Sequence, residues 1–584
     1  AIFDVSVTKT AYNANFERTC LSKHFGRYIP PESWHCSAVQ AAMLALPRSL
    51  EDVGRVLGLD EQKMKEGKEL IRYFCVPCKP TKANGGRTRN LPCHAPEKWE
   101  LFKTYCKRDV DVEKSIRRKL HNFPIPESEM ELYRLDQRIN DRGVLVDMGL
   151  VEQAIACERL HKEVVTKRAY ELTGLENPNS VAQLKGWLGD MGMEAESLSR
   201  KAVAEMIAET DGEVEELLRL RLMLAKTSVK KYEAIERSAC SDGRVHGMLM
   251  FYGANRSGRW SGKNVQLHNL PKNYLPDLEL ARDLVKQGRF EDIELLYDST
   301  PNVLSELIRT AFIPKQGCRF VVADFSAIEA RVMGWLSGEE WVLDVFRGDG
   351  KLYEMTASRM FGIPMAEIGK GSPERAKGKV ASLSCQYGGS KNGLISMGAL
   401  DMGLTEEELP PLVAAWRKAN PHMVQFWWDV DAAAIKAVTE KQRTKVGRII
   451  FEYKSGILFI TLPSGRKLSY VKPRMAVNRF GRDGLTYEGI SENKKWSRIE
   501  TYGPKLVENI VQGTARDLLA EAMLRVEKKG YPIVMHCHDE IIAEVLEGIG
   551  SVDEMCEIMA VQPEWAEGLP LRADGYQCSF YQKM

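Results

Sequence analysis

The chain is 584 residues long, which at roughly 100–200 residues per domain gives about three to five units and excludes a small stapled module. Its 44% hydrophobic and 28% charged residues are ordinary for a globular protein, and no stretch approaches the ~18 uninterrupted apolar residues of a membrane span, so a soluble chain with no membrane partner is expected. Eighty-two Lys+Arg against 80 Asp+Glu leave a net charge of +2, so global charge alone argues against a nucleic-acid binder. The 13 cysteines, scattered from Cys20 to Cys578, predict free thiols in the cytoplasm rather than a secreted disulfide framework. The opening AIFDVSVTKT has no Met, basic n-region or apolar h-region, so it is no signal peptide, and a truncated or processed chain is expected.

Residues 1–124 mix short β-like runs with helical patterns such as 50–59, and contain a Gly/Arg/Asn-rich loop at 82–90. Cys75-Val-Pro-Cys78 followed by Cys93-His94 superficially suggests zinc, but Cys93 and His94 are adjacent and no second C-x2-C exists, so a plain loop is the better reading. Phe123-Pro-Ile-Pro126 reads as a linker, and residues 127–236 as mostly helical and highly charged. Between residues 221 and 275, ten Lys/Arg stand against three acids, a local +7 that is either a solvated cationic face or a track for a polyanion. From Arg319 onward, apolar strand-like runs alternate with helices and hairpins in a mixed α/β body.

Three constellations carry chemistry. In Phe320-Val-Val-Ala-Asp324-Phe-Ser326-Ala-Ile-Glu329-Ala-Arg331 an apolar strand ends at an acid, which either faces a metal in a cleft or caps the following helix. The segment from Ile533 to Val545 places His538-Asp539-Glu540 at the tip of a predicted tight hairpin. Such acids are either solvated turn residues or, with Asp324 215 positions earlier (539 − 324), half of a clamp for two Mg²⁺ ions. In Ser372-Pro-Glu-Arg375 through Gly389, Ser372 is a plausible N-cap and Arg375, Lys379, Leu383 and Tyr387 recur at i+4 along one helical stripe. Two cations and an aromatic on that stripe suit a triphosphate and a base, or merely decorate a surface helix.

Together these segments resemble motifs A, B and C of the family A (DNA polymerase I-like) DNA polymerases, most closely the phage and prophage branch. Asp324, Phe325, Ser326, Glu329 and Arg331 match motif A; Arg375, Lys379, Tyr387 and Gly388 match motif B; His538, Asp539 and Glu540 match motif C. The resemblance implies a right-hand polymerase of α/β and α+β architecture, with thumb and linker at 125–255, palm at 256–346, fingers at 347–440 and palm again at 441–584. It implies that Asp324, Asp539 and the Phe325 carbonyl hold two Mg²⁺, with Mn²⁺ able to substitute. Arg375 and Lys379 would neutralise the triphosphate, with Lys379 protonating the leaving group. Glu329 would gate the sugar, and Leu383 and Tyr387 would contact the nucleotide, although Leu383 fills a slot usually held by Phe or Tyr. Tyr353 stands where the family often has a His.

The segment from Ser257 to Pro271 is similar to the family's primer–template segment, with Gln266 and His268 replacing Asn and Gln. Gln512-Gly-Thr-Ala515 resembles its minor-groove element, and Lys226-Thr-Ser-Val-Lys-Lys231 its thumb tip. Lys226, Lys230, Lys231, Arg259, Gln266, Asn269, Gln512 and His538 are therefore expected on DNA. Residues 1–124 resemble the RNase H-like 3′–5′ exonuclease domain of the same family. Glu17, in Asn13-Ala-Asn-Phe-Glu, matches its second motif with Glu for Asp, and Tyr105 and Asp109 match the third. The first motif, Asp-x-Glu, has no match; Asp4 is the only earlier acid and Ser6 holds the Glu slot, so first strands are read as missing and proofreading as weak or absent. Primer–template DNA and deoxynucleoside triphosphates are the implied partners, in a bacterial host's cytoplasm if the chain is phage-encoded. No signature names a replisome or processivity partner. A non-catalytic DNA-binding subunit and a single-subunit RNA polymerase are the other readings; the former is disfavoured by the presence of Asp324, Asp539 and Lys379, the latter by Glu329 and the His-Asp-Glu tip.

Overall fold

The computed structural model describes residues 2–59, 64, 66–225, 229–400, 402–479 and 481–583. At the N-terminus, strands Lys9–Ala11 and Trp34–Cys36 pair in parallel. A parallel pair needs a crossover, and helix Ala14–Phe25 supplies it. Helix Pro96–Leu120 closes this unit, and the expected linker falls between its end and the next helix, which opens at Glu127. Ala41, Leu46, Val53, Val112 and Ile116 form a small core with Ile457, Phe459 and Val471, which belong to a six-stranded antiparallel meander running from Thr444–Val446 to Trp496–Glu500. The unit is thus docked on the body through apolar contact.

Residues 127–224 are mostly helical, as their charge-and-leucine pattern predicts, apart from the short strand Val144–Val146 that pairs with Arg244–Val245 and Phe312–Ile313. Asp147, Ser180 and Ser199 each cap a helix by accepting the amide three residues on, a bond typically worth about 1 kcal/mol. Ala169, Leu184, Leu188, Val203, Leu217 and Leu218 make a separate core for this region.

The centre of the molecule is a four-stranded antiparallel sheet in the order Ile533–Cys537, Glu540–Leu546, Cys318–Phe325, Ala573–Cys578. Strand Cys318–Phe325 lies inside it, which is why Phe320-Val-Val-Ala323 is apolar at every position and fully buried, rather than alternating. Helix Val552–Ala560 packs on it, and the long helix Gly503–Lys528 packs against Ile328–Ser337 and Pro421–Thr439. Helices Leu352–Phe361, Pro373–Cys385 and Leu409–Ala419 form a cluster to one side. No helix among the described residues is long and apolar enough to cross a membrane.

Candidate functional site

Asp324 is the penultimate residue of the central strand, and His538-Asp539 is the two-residue tip of the hairpin beside it. Such tight tips favour positive φ, which His538 adopts at 58°. Glu540 lies opposite Asp324 in register, and the Phe325 amide donates to the Asp539 carbonyl at 3.1 Å. Sheet pairing therefore brings together carboxylates 215 residues apart in sequence (539 − 324). The capping alternative fails, because the N-cap of helix Ile328–Ser337 is Ala327, with φ 50° and no side-chain bond.

Burial, and then the charge of Asp324, push the Asp539 carboxyl up to about 7. Asp324 Oδ1 is buried without a hydrogen-bond partner. A desolvated Asp539 carboxylate facing a half-exposed Asp324 with an unused oxygen is a donor set suited to a hard divalent ion, and the all-oxygen chemistry favours Mg²⁺ or Mn²⁺ over zinc. Glu540 is otherwise engaged: Oε1 accepts the Tyr581 hydroxyl at 2.7 Å and Oε2 lies 2.8 Å from Lys583 Nζ, which is also 3.3 Å from Asp324 Oδ2. Among the described residues no three His, Cys, Asp or Glu side chains converge with ligand geometry, so the metal fit rests on the two aspartates. Lys583 was missed by sequence reasoning, since nothing local marks it; only the tertiary path of the C-terminal segment brings it here.

Ser372 caps helix Pro373–Cys385 by accepting the Arg375 amide, and Arg375, Lys379 and Leu383 share its stripe. Tyr387 does not, which corrects the expectation of a continuous stripe. The helix ends at Cys385, where the amides of Gly388 and Gly389 turn back to the carbonyls of Cys385 and Ser384. Gly388 has φ 76°, and a Cβ on Gly389 would sit 2.2 Å from the Ser384 oxygen, so this turn demands glycine. The turn delivers the Tyr387 hydroxyl to Glu329 Oε2 at 2.8 Å, while Arg259 Nη1 donates to Glu329 Oε1 at 2.9 Å. Three distant segments thus meet at Glu329. Arg375 Nε donates to Glu354 at 2.5 Å, with its guanidinium 5.6 Å from the Tyr353 ring centre. Lys379 is exposed, with no ionic or hydrogen-bond partner among the described residues, and Leu383 is exposed beside it, whereas Phe325 is buried.

Gln266 and Asn269 are exposed around a short turn, Lys230 is exposed, and Gln512 is half-buried on helix Gly503–Lys528. Lys231 Nζ donates to the Val265 carbonyl at 2.9 Å, and the His538 ring Nε2 lies 3.1 Å from the His268 carbonyl. Lys226 lies outside the described residues. A buried lattice that sequence reasoning missed fastens this surface from beneath. Arg466 donates to Asp517 at 2.5 Å, to Ser257 O at 2.8 Å and to Gly513 O at 2.9 Å. Arg516 donates to both Glu129 oxygens at 2.6 and 2.8 Å and to Gly258 O at 3.1 Å. The clue was Arg516-Asp517 inside an otherwise apolar helical run: charges buried there must be paired.

In the N-terminal unit, burial and then Glu113 raise the Glu17 carboxyl to about 6. Glu113 is two turns along the helix from Tyr105 and accepts the Ser37 hydroxyl at 2.7 Å, a neighbour the sequence reading did not include. Tyr105 is buried, stacked on Phe102 with ring centres 6.0 Å apart and in contact with Gly67. Among the described residues no three His, Cys, Asp or Glu side chains that include Glu17 or Asp109 converge with ligand geometry. The cysteines are free; Cys78 Sγ donates to Arg87 O, and His94 Nδ1 accepts the Leu91 amide.

Comparison with known proteins adds the following. The family model for DNA polymerase family A matches residues 152–574. A DNA polymerase of Bacillus phage SP02 is 55% identical over 586 aligned positions, covering 100% of this chain and 90% of the relative. DNA polymerase I of Pseudomonas aeruginosa is 25% identical over 78% of this chain, which spans 44% of that protein, and the thermostable DNA polymerase I of Thermus aquaticus is 26% identical over 69%, spanning 41%. Among solved structures, the POL domain of Pol1 from M. smegmatis, in complex with DNA primer-template and dNTP, matches 99% of this chain and 87% of that one at TM-score 0.64 and 19% identity.

Proposed function

Since the chain belongs to DNA polymerase family A and is a DNA-directed DNA polymerase, we propose that it extends a primer 3′ end by two-metal phosphoryl transfer at Asp324 and Asp539. The observation that carries the reading is the meeting of these two partly buried carboxylates at one end of the central sheet, with Asp324 Oδ1 unused. With the Phe325 carbonyl they would hold two Mg²⁺. Asp324, Asp539 and the Phe325 carbonyl would hold these ions where their charge would lower the pKa of a primer 3′-hydroxyl and offset the charge that develops at the α-phosphate.

The chain's own side chains do the rest. Lys379, exposed and unpartnered, meets the β- and γ-phosphates and gives a proton to the leaving pyrophosphate. Arg375 joins it through its Nη nitrogens, because Glu354 takes only its Nε. Closure of helix Pro373–Cys385 over a correct base pair aligns both, so pair geometry selects the nucleotide. Glu329, held from both sides by Arg259 and Tyr387, is stiff enough to exclude a ribose 2′-hydroxyl. The 257–269 surface, Gln512 and His538 line the primer–template, and Arg466 and Arg516 keep that surface in register.

On this reading residues 125–255 are thumb and linker, 256–346 and 441–584 palm, and 347–440 fingers. Residues 1–124 are an exonuclease-like unit in which the Asp-x-Glu first motif has no match and Ser6 stands in the Glu slot, so 3′–5′ excision by this chain is weak or absent. Primer extension with Mg²⁺ and either deoxy- or ribonucleotides tests the proposal: deoxynucleotide-dependent, template-directed growth is expected. Preferential ribonucleotide incorporation favours the RNA polymerase reading, and DNA binding without extension the accessory-subunit reading.

A further inference from the structure

Lys583 is the penultimate residue of the sequence, yet its backbone is fixed on both sides. Its amide donates to Asn273 Oδ1 at 2.7 Å, and its carbonyl accepts the Asn273 amide at 2.9 Å. Two residues earlier, the Tyr581 amide donates to Phe312 O at 2.9 Å, and its hydroxyl relays Arg309 to Glu540. The segment is a strap laid over the sheet end, and it delivers one ammonium into the carboxylate cluster.

That ammonium is 2.8 Å from Glu540 Oε2 and 3.3 Å from Asp324 Oδ2, with the Lys583 side chain only 16% exposed and that of Glu540 1%. A lysine there must shed most of its water, which is tolerable only because two carboxylates replace it. The consequence for ligands is geometric. Both Glu540 oxygens are taken, and Asp324 has one oxygen bound to Lys583 and one, Oδ1, left open. With all groups ionised, three carboxylates and one ammonium sum to −2, the charge that one divalent ion neutralises.

We propose that Lys583 is a built-in counter-cation that occupies one side of the Asp324–Asp539–Glu540 cluster and sets how tightly, and on which oxygens, the site takes a divalent ion. This rests on Asp324 and Asp539 being metal ligands. Lys583 touches the ligands rather than the reacting atoms, so it is a positioning residue. Its removal frees Glu540 Oε2 and Asp324 Oδ2 for metal and deepens the negative potential, whereas arginine keeps the charge.

The test is Mn²⁺ binding to the DNA-free full chain at pH 8, with free Mn²⁺ counted by its paramagnetic resonance signal. Lys583→Met is expected to bind Mn²⁺ at least about tenfold tighter than wild type, since one positive charge ~6 Å from a divalent ion costs about 1.4 kcal/mol even at the dielectric of water, ~80. Lys583→Gln, which keeps a hydrogen-bond donor, should do the same if the methionine variant fails to fold, and Lys583→Arg should bind as wild type does. Equal or weaker binding in Lys583→Met and Lys583→Gln overturns the proposal. Asp539→Asn separates the two layers: if it binds Mn²⁺ as wild type does, the metal-ligand reading fails. If it loses binding while the Lys583 variants stay at the wild-type value, the Lys583 inference alone fails.

Discussion

Without metal, Asp539 is a cost to the fold, and Asp539→Asn should relieve it in a pH-dependent way. Burial and the Asp324 charge move its pKa from 3.8 to about 7. A shift of ~3 units at ~1.4 kcal/mol each sets a ceiling near 4 kcal/mol, and because the two aspartates titrate as a pair, about 2 kcal/mol is the expected share. The sign follows from proton counts: between pH ~4 and ~7 the folded protein keeps a proton that the unfolded chain releases, so stability falls as pH rises through that window and levels off above it. Asparagine cannot ionise. In EDTA, the variant should match wild type near pH 4 and exceed it by about 2 kcal/mol at pH 8, read by urea denaturation followed by tryptophan fluorescence. Saturating Mg²⁺ should reverse the order, since only wild type gains ligand stabilisation. If the two proteins show the same difference at pH 5 and pH 8 in EDTA, Asp539 is not held in the environment described above.

Further expectations follow from other contacts. Glu129→Ala takes the bidentate acceptor from buried Arg516, which then shares the single Asp517 carboxylate with Arg466, so two buried cations face one acid and a loss of about 3 kcal/mol in denaturant stability is expected. Lys379→Ala should lower kcat/KM for deoxynucleotides by ~100-fold while primer–template affinity is unchanged, because the lysine is exposed on helix Pro373–Cys385 and makes no hydrogen bond or ion pair to the 257–269 segment among the described residues. Glu329→Ala removes the group that Arg259 and Tyr387 hold, and single-nucleotide incorporation should show ribonucleotide use rising on the order of tenfold relative to deoxynucleotide.

Much of this was legible before any coordinates. The unbroken apolar run Phe320–Ala323 marked a buried strand, Ser372-Pro373 a helix start, and the apolar stretches around His538-Asp539 a hairpin, since each is a local pattern with a local cause. What stayed hidden depends on long-range packing. Lys583 has no distinguishing neighbours in sequence and acquires its role only because the C-terminal segment folds back on Asn273 and Phe312. Nothing local marks Arg466 either, and it is buried only because Asp517 and the Ser257 carbonyl enclose it. The Tyr387 stripe was misjudged for a different reason: i+4 spacing continues on paper past the point where Gly388 and Gly389 end the helix. The opening charge balance of 82 against 80 hid the cationic 221–275 stretch because a sum discards position.

The most direct measurement is single-turnover extension of a primer–template by Asp324→Ala, with DNA affinity measured on the same protein. If Asp324 is one of two carboxylates that hold the catalytic ions, the rate should fall by ~10³-fold or more, the scale of several kcal/mol of lost charge stabilisation, while primer–template binding stays within a few-fold of wild type. Extension at the wild-type rate by Asp324→Ala would contradict the assignment of chemistry to this end of the central sheet.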